Sequence, residues 1–333
     1  LYAVLLYSMD FTLRTYNKLM ETLLRQGFLF QTFSGFIENP GNKVVILRHD
    51  IDRKPKNALA VAKIESEYSI RGTYYFRVVP DSWDEEVIRK IAEMGHEVGY
   101  HYEDVERAIK KLKVQGSRFK VQGSRVRVQG SGFRVQGSGF KVQGSRIGSG
   151  SEEFERRIAG EAIELFSENL ERLRRVVPVK TICAHGSPLC RWDNRILWNY
   201  YDYRDFGIIG EPYSDIDFNE VLYLTDTGRR WDGEDVSIRD KVQNTRSKAK
   251  THKAAELTKS SEIPRSGEAQ GNRNIHFHST IDIIKAASER KLPDRIMLTV
   301  HPQRWTDDFI PWIKELVWQN LKNIVKYIIV RQQ

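Results

Sequence analysis

Short apolar runs that close on polar turns alternate with segments of helical period along most of the chain. Residues 44–47 (VVIL) predict a strand, 57–68 a helix, 72–78 (GTYYFRV) a strand, 85–94 a helix and 97–101 a short strand. Further strands are predicted over 180–183, 206–209, 220–224 and 295–300. Phe154, Ile158, Ala162, Leu165, Phe166, Leu170 and Leu173 recur at helical spacing and stop before Pro178. A C-terminal helix carries Phe309, Ile313, Leu316, Val317, Leu321, Ile324 and Ile328 on one face. Repeated strand–helix units predict an α/β fold, a parallel sheet or barrel covered by helices, with functional residues at the C-terminal ends of the strands. One barrel domain is the simplest arrangement, but periodicity alone does not separate a barrel from an open sheet.

Two stretches interrupt this alternation. VQGS recurs at Val114, Val121, Val128, Val135 and Val142, a period of seven. A coiled coil is excluded, because the glycine in every copy costs about 1 kcal/mol relative to alanine in a helix. A Gly-rich, basic flexible loop or a small stack of short strands remains, inserted at a loop tip within a helical region. Residues 245–274 are rich in Lys, Ser, Thr and Glu with almost no large apolar side chains, and read as a second, flexible insert. The expected organisation is one domain over 9–113 and 148–333, interrupted by the repeats at 114–147 and the polar insert at 245–274. Met9-Asp10-Phe11-Thr12 looks like a natural start, so either residues 1–8 are expected to be an upstream artefact or the chain is expected to be a fragment.

The formal charge of +9 suggests a nucleic-acid partner, but ten Lys or Arg and no acid fall between Lys110 and Arg146, which leaves the remainder close to neutral. Nucleic-acid binding is therefore confined, as a hypothesis, to the repeats, whose cations and Phe119, Phe133 and Phe140 can meet phosphates and bases. Cys183 and Cys190 form neither a disulfide framework nor the CxxC spacing of a zinc site, so ordinary reduced thiols and a cytoplasmic location are expected. No run of eighteen apolar residues occurs, and no membrane span is expected.

Chemistry-bearing residues gather at predicted strand ends: RHDID, GHEVGYHYED, CAHGSPL and MLTVHPQRW. His49, His96, His101, His185 and His301, with His276 or His278, all lie at or near such ends. Taken singly, His96 reads as a turn residue and the IHFHST pair as surface histidines.

The order RHDID, GHEVGYH, a strand closing on a Gly/Pro turn, then LTVH resembles the polysaccharide deacetylase superfamily (NodB homology, carbohydrate esterase family 4) across most of residues 40–305. The resemblance implies a distorted (β/α) barrel and a divalent metal, usually zinc, that activates water to remove an acetyl group from a carbohydrate. By its motifs, Asp50 would be the catalytic base, Asp52 and His101 metal ligands, and His301 the general acid, with Arg304 and Trp305 placed to contact the sugar. The family's second motif histidine falls at Val105. His185, Glu103 or His96 would have to complete the site, and His185 is favoured from its own strand end; orienting Asp50 is an equally open role for it. The two aspartates are expected to need a twist of the strand end to face one rim. The alternative implied by Val105 is a non-catalytic carbohydrate-binding barrel.

Overall fold

The computed structural model describes residues 9–112, 150–186, 192–231 and 277–331, with side chains to Leu321 in the last helix. The VQGS repeats, the 245–274 stretch, His276 and Cys190 lie outside the described residues. Among the described residues seven strands form one sheet: β1 Leu29–Gln31, β2 Val44–Ile51, β3 Thr73–Phe76, β4 Glu97–Tyr102, β5 Ile182–Ala184, β6 Leu222–Thr225 and β7 Arg295–Val300. The order is β5-β4-β3-β2-β7-β6, with β1 beside the first half of β2 and β3 beside its second half. All pairings are parallel, and the sheet curls into a half-barrel. All strand C-terminal ends therefore open on one rim.

β2 is buried along its whole length, as a strand covered on both faces must be. Its even residues Val44 and Ile46 meet Tyr75, Cys183 and Met297 on the concave side, whereas Val45 and Leu47 meet the outer helices. Gly99 on β4 makes room on the concave side, because a Cβ there would collide with the Tyr75 ring.

Local signals account for the helices. Thr12 caps α1 (Leu13–Arg25), Thr32 caps α2 (Phe33–Glu38), and α3 (Pro55–Glu67) opens on a first-turn proline after Lys54 at φ 54°. Asp84 caps α4 (Glu85–Glu93). Residues 104–112 form α5, and α6 spans Gly150–Arg174 on the other side of the repeats. The short α7 (Pro212–Asp215) starts on proline, a Ser279/Asp282 capping box opens α8 (Thr280–Ser288), and α9 covers Phe309–Arg331.

One predicted strand is absent, and two further features lie outside the sequence pattern. Residues 206–209 are not a strand: Asp202 caps a 3₁₀ turn over Tyr203–Phe206, Gly207 at φ 69° reverses the chain, and a single bridge, Thr181 to Gly210, meets the sheet. α1 and β1, before the first predicted strand, cover the outer face and extend the sheet. Finally, α9 does not bury its apolar face. Glu315 and Gln319 turn inward, Glu315 making a bidentate pair with Arg53 at 2.7 and 2.9 Å, while Ile310, Ile313, Val317 and Leu321 face outward.

Candidate active site

Arg48 and Asp50 stand two residues apart on β2 and share its concave face, and just past the end of the strand the chain bends, the Asp52 N–H donating to the Asp50 carbonyl at 3.2 Å, so the expected turn of the strand end brings Asp52 to the same rim. Buried Arg48 grips Asp50 in a fork, Nε to Oδ1 at 2.8 Å and Nη2 to Oδ2 at 2.6 Å. Burial alone would raise the Asp50 carboxyl. The Arg48 guanidinium outweighs it, with His101 and His301 adding to the effect, and holds Asp50 well below the carboxylate range. Orientation of Asp50, an open role for His185, thus belongs to Arg48.

Asp52 Oδ1 lies 3.6 Å from His101 Nε2 and 3.4 Å from His185 Nε2. Ligand atoms about 2.1 Å from a tetrahedral zinc ion are separated by about 3.4 Å, so both spacings match a site that holds one. Asp52 Oδ1 is itself buried and accepts no hydrogen bond among the described residues, an orphaned anion aimed at two imidazoles. Burial would raise Asp52, but the two histidines together hold it well below its ordinary range. The donor set of one carboxylate and two imidazoles suits a borderline divalent ion. Cys183 is a second finding here: its sulfur falls within the same reach of Asp50 and His101.

The supporting contacts fix each group. His101 pairs with Cys183 across β4 and β5, and its Nδ1 lies 3.0 Å from the Cys183 carbonyl. A carbonyl only accepts, so the proton sits on Nδ1 and the Nε2 lone pair faces Asp52. Gln303 Nε2 donates to Asp52 Oδ2 at 3.0 Å, and Arg77 Nη1 to the Asp52 carbonyl at 3.0 Å. Arg77 also holds Glu103, which lies 3.6 Å from His185 Nδ1. Val105, at the position of the family's second histidine, is fully buried among apolar side chains. Its backbone still serves the site: buried Asn194 accepts from the Val105 amide at 3.2 Å and donates to the His185 carbonyl at 2.8 Å.

His301 follows β7, and its Nδ1 meets Asp226 Oδ1 at 2.5 Å while its backbone N–H donates to Oδ2 at 2.9 Å. Asp226, just past β6, is fully buried and also accepts from Arg304 Nη1 at 2.6 Å and Trp305 Nε1 at 2.8 Å. Burial opposes its ionisation, but Arg304 and then His301 hold it below its ordinary value. Arg304 and Trp305, expected at the sugar, are therefore corrected: both are buried, and they lock Asp226 rather than contact a ligand.

Two rim histidines also move. His49 sits on the odd, outward face of β2 and stacks on Tyr74, with ring centroids 4.0 Å apart. Its Nε2 lies 2.8 Å from buried Glu65, which also accepts from Tyr16 and Tyr74. His96 closes the turn after α4, as expected, its N–H donating to the Ile91 carbonyl at 3.4 Å, but its ring is buried in the same network and accepts from the Gly72 amide at 3.1 Å. His278 is exposed, as expected of a surface histidine.

Comparison with protein-family models, with curated proteins and with solved structures returns no match. The geometry of the rim is thus the basis for a functional reading.

Proposed function

We propose that this chain is a metal-dependent carbohydrate deacetylase of the polysaccharide deacetylase type, with zinc as the preferred ion. The observation that carries the reading is the convergence of Asp52, His101 and His185 on one point, flanked by an Arg48-held carboxylate and an Asp226-held imidazole. Asp52, His101 and His185 would hold the divalent ion, which would supply Lewis acidity toward the acyl oxygen and lower the pKa of a water.

The chain's own groups do the rest. Asp50 accepts the proton of the attacking water. Arg48 keeps it ionised and aimed, at the cost of basicity, which is why acidified water is needed. His301 presents Nε2 to the site because Asp226 holds Nδ1–H, and protonated there it delivers a proton to the departing amine or alcohol. Asp226 stabilises that imidazolium and fixes its ring.

The test is acetate release from N-acetylated amino-sugar oligosaccharides by the zinc-loaded protein. Activity is expected in the wild type, with losses of roughly 100-fold or more in Asp50→Asn and His301→Ala and zinc retained in both. Oligosaccharide binding with no acetate release under Zn²⁺, Co²⁺ or Ni²⁺ would sink this reading in favour of the non-catalytic barrel.

A further inference from the structure

His101 turns its Nε2 lone pair toward two carboxylates. Asp52 Oδ1 lies 3.6 Å away, and Asp50 Oδ2, the more buried of the two, lies 3.8 Å away. Cys183 stands opposite His101 in the parallel register of β4 and β5, so the two side chains share the concave face. One ligand atom each from Asp50, His101 and Cys183 lies within 4.8 Å of the other two, and all three residues are buried. The Arg48 fork uses one lone pair on each Asp50 oxygen, and a carboxylate oxygen has a second to offer.

The two donor sets select different ions. Asp52, His101 and His185 supply one oxygen and two nitrogens, which suit zinc. Asp50, His101 and Cys183 replace one imidazole by a polarisable sulfur, in an apolar wall shared with Ile46, Tyr75 and Met297, and suit a softer ion. The Arg48 cation on Asp50 opposes a second positive charge there, whereas Asp52 Oδ1 is orphaned among the described residues. Zinc is therefore expected at Asp52, and only an ion with a stronger bond to sulfur overcomes Arg48. The Nε2 lone pair of His101 serves one ion at a time, so the two sites exclude each other.

We infer that Asp50, His101 and Cys183 form a second, soft-metal site whose occupation expels zinc from the rim and takes up the proposed base. The thiol proton leaves to solvent as the ion binds. This metal chemistry stands apart from the deacetylase reading; only the loss of acetate release that cadmium should cause rests on it. The test titrates Cd²⁺ into zinc-loaded full-length protein while following the thiolate-to-cadmium charge-transfer band and, with a chromophoric indicator, the zinc set free. The band is expected to grow in step with zinc release. Cys183→Ser should lose the band and bind cadmium roughly tenfold or more weakly, with zinc affinity held within about threefold. Cys183→Ala, with a circular-dichroism spectrum like that of wild type, should behave in the same way. His185→Ala should keep the band, which separates this site from cadmium substituting at Asp52. No band in the wild type, a band that survives in both Cys183 variants or in His101→Ala, or a band that grows without release of bound zinc would overturn the inference. The band without acetate release from any substrate would leave this site standing and remove the catalytic reading alone.

Discussion

Asp226→Asn is the perturbation whose consequences the structure bounds most tightly. The carboxylate is fully buried and accepts four hydrogen bonds, from His301 Nδ1, the His301 amide, Arg304 Nη1 and Trp305 Nε1. Asparagine keeps the shape but turns one acceptor oxygen into a donor. In either amide orientation two of the four donors face an NH₂ group, each orphaned at about 1–3 kcal/mol. Loss of the anion also leaves Arg304 buried without its ion-pair partner, a situation that costs about 3–5 kcal/mol. These contributions overlap, so the expected destabilisation is about 3–5 kcal/mol, a large share of a typical total of about 5–15 kcal/mol. Urea unfolding of wild type and variant under conditions where both fold measures it. The same substitution should lower acetate release by roughly 100- to 10,000-fold, because His301 loses the partner that sets its tautomer. Zinc content should not change, since Asp226 is not among the proposed ligands Asp52, His101 and His185. A stability loss below about 1 kcal/mol would refute the argument that Asp226 organises this corner of the rim.

Arg48→Met should cost about 3–5 kcal/mol in urea unfolding, because it strands the Asp50 carboxylate in the interior, and activity should fall with it; a neutral outcome would mean the fork does not form. Val105→His should not raise zinc affinity, because the side chain enters a filled apolar cluster, and should destabilise by about 1–3 kcal/mol; tighter zinc binding in titration would contradict this placement. Asp50, Asp52, Glu65 and Asp226 are all held below their ordinary values of 3.8 for aspartate and 4.5 for glutamate. Each folded value lies below the unfolded one, so their stabilisation is complete above about pH 4.5 and is lost progressively as pH falls from there toward the folded values. Melting temperatures that stay level from about pH 6 to about pH 3 would count against these pairings.

Much of the rim is legible in the chain, and the exceptions have definite causes. Strand ends expose Asp50, Asp52, His101, His185 and His301, because apolar runs of β2, β4, β5 and β7 stop abruptly at charged or imidazole side chains. Arg48 stands in the same RHDID motif without a role assigned by the motif, although the two-residue period of the strand places it on the face of Asp50. The same period separates His49, one residue out of phase, and sends it to the Glu65 network. Asp226 follows an apolar strand just as the others do, but lies 75 residues from His301, and no local pattern links the two. Arg304 and Trp305 mislead because a polar and an aromatic residue after a strand look like a ligand-facing loop. Only the three-dimensional corner shows that both side chains turn back onto Asp226. The inverted face of α9 is hidden for a related reason: helical period identifies an apolar stripe but not the side that meets the protein.

Asp52, His101 and His185 are proposed to hold one divalent ion, with His185 filling the role that Val105 cannot. Competition titration of Zn²⁺ against a chromophoric chelator tests it directly, on wild type, Asp52→Asn, His101→Ala and His185→Ala. One tightly bound ion per chain is predicted in the wild type, with affinity lowered by more than roughly 100-fold in each variant. Wild-type affinity retained in His185→Ala, or no zinc bound by the wild type, would rule out this three-residue site.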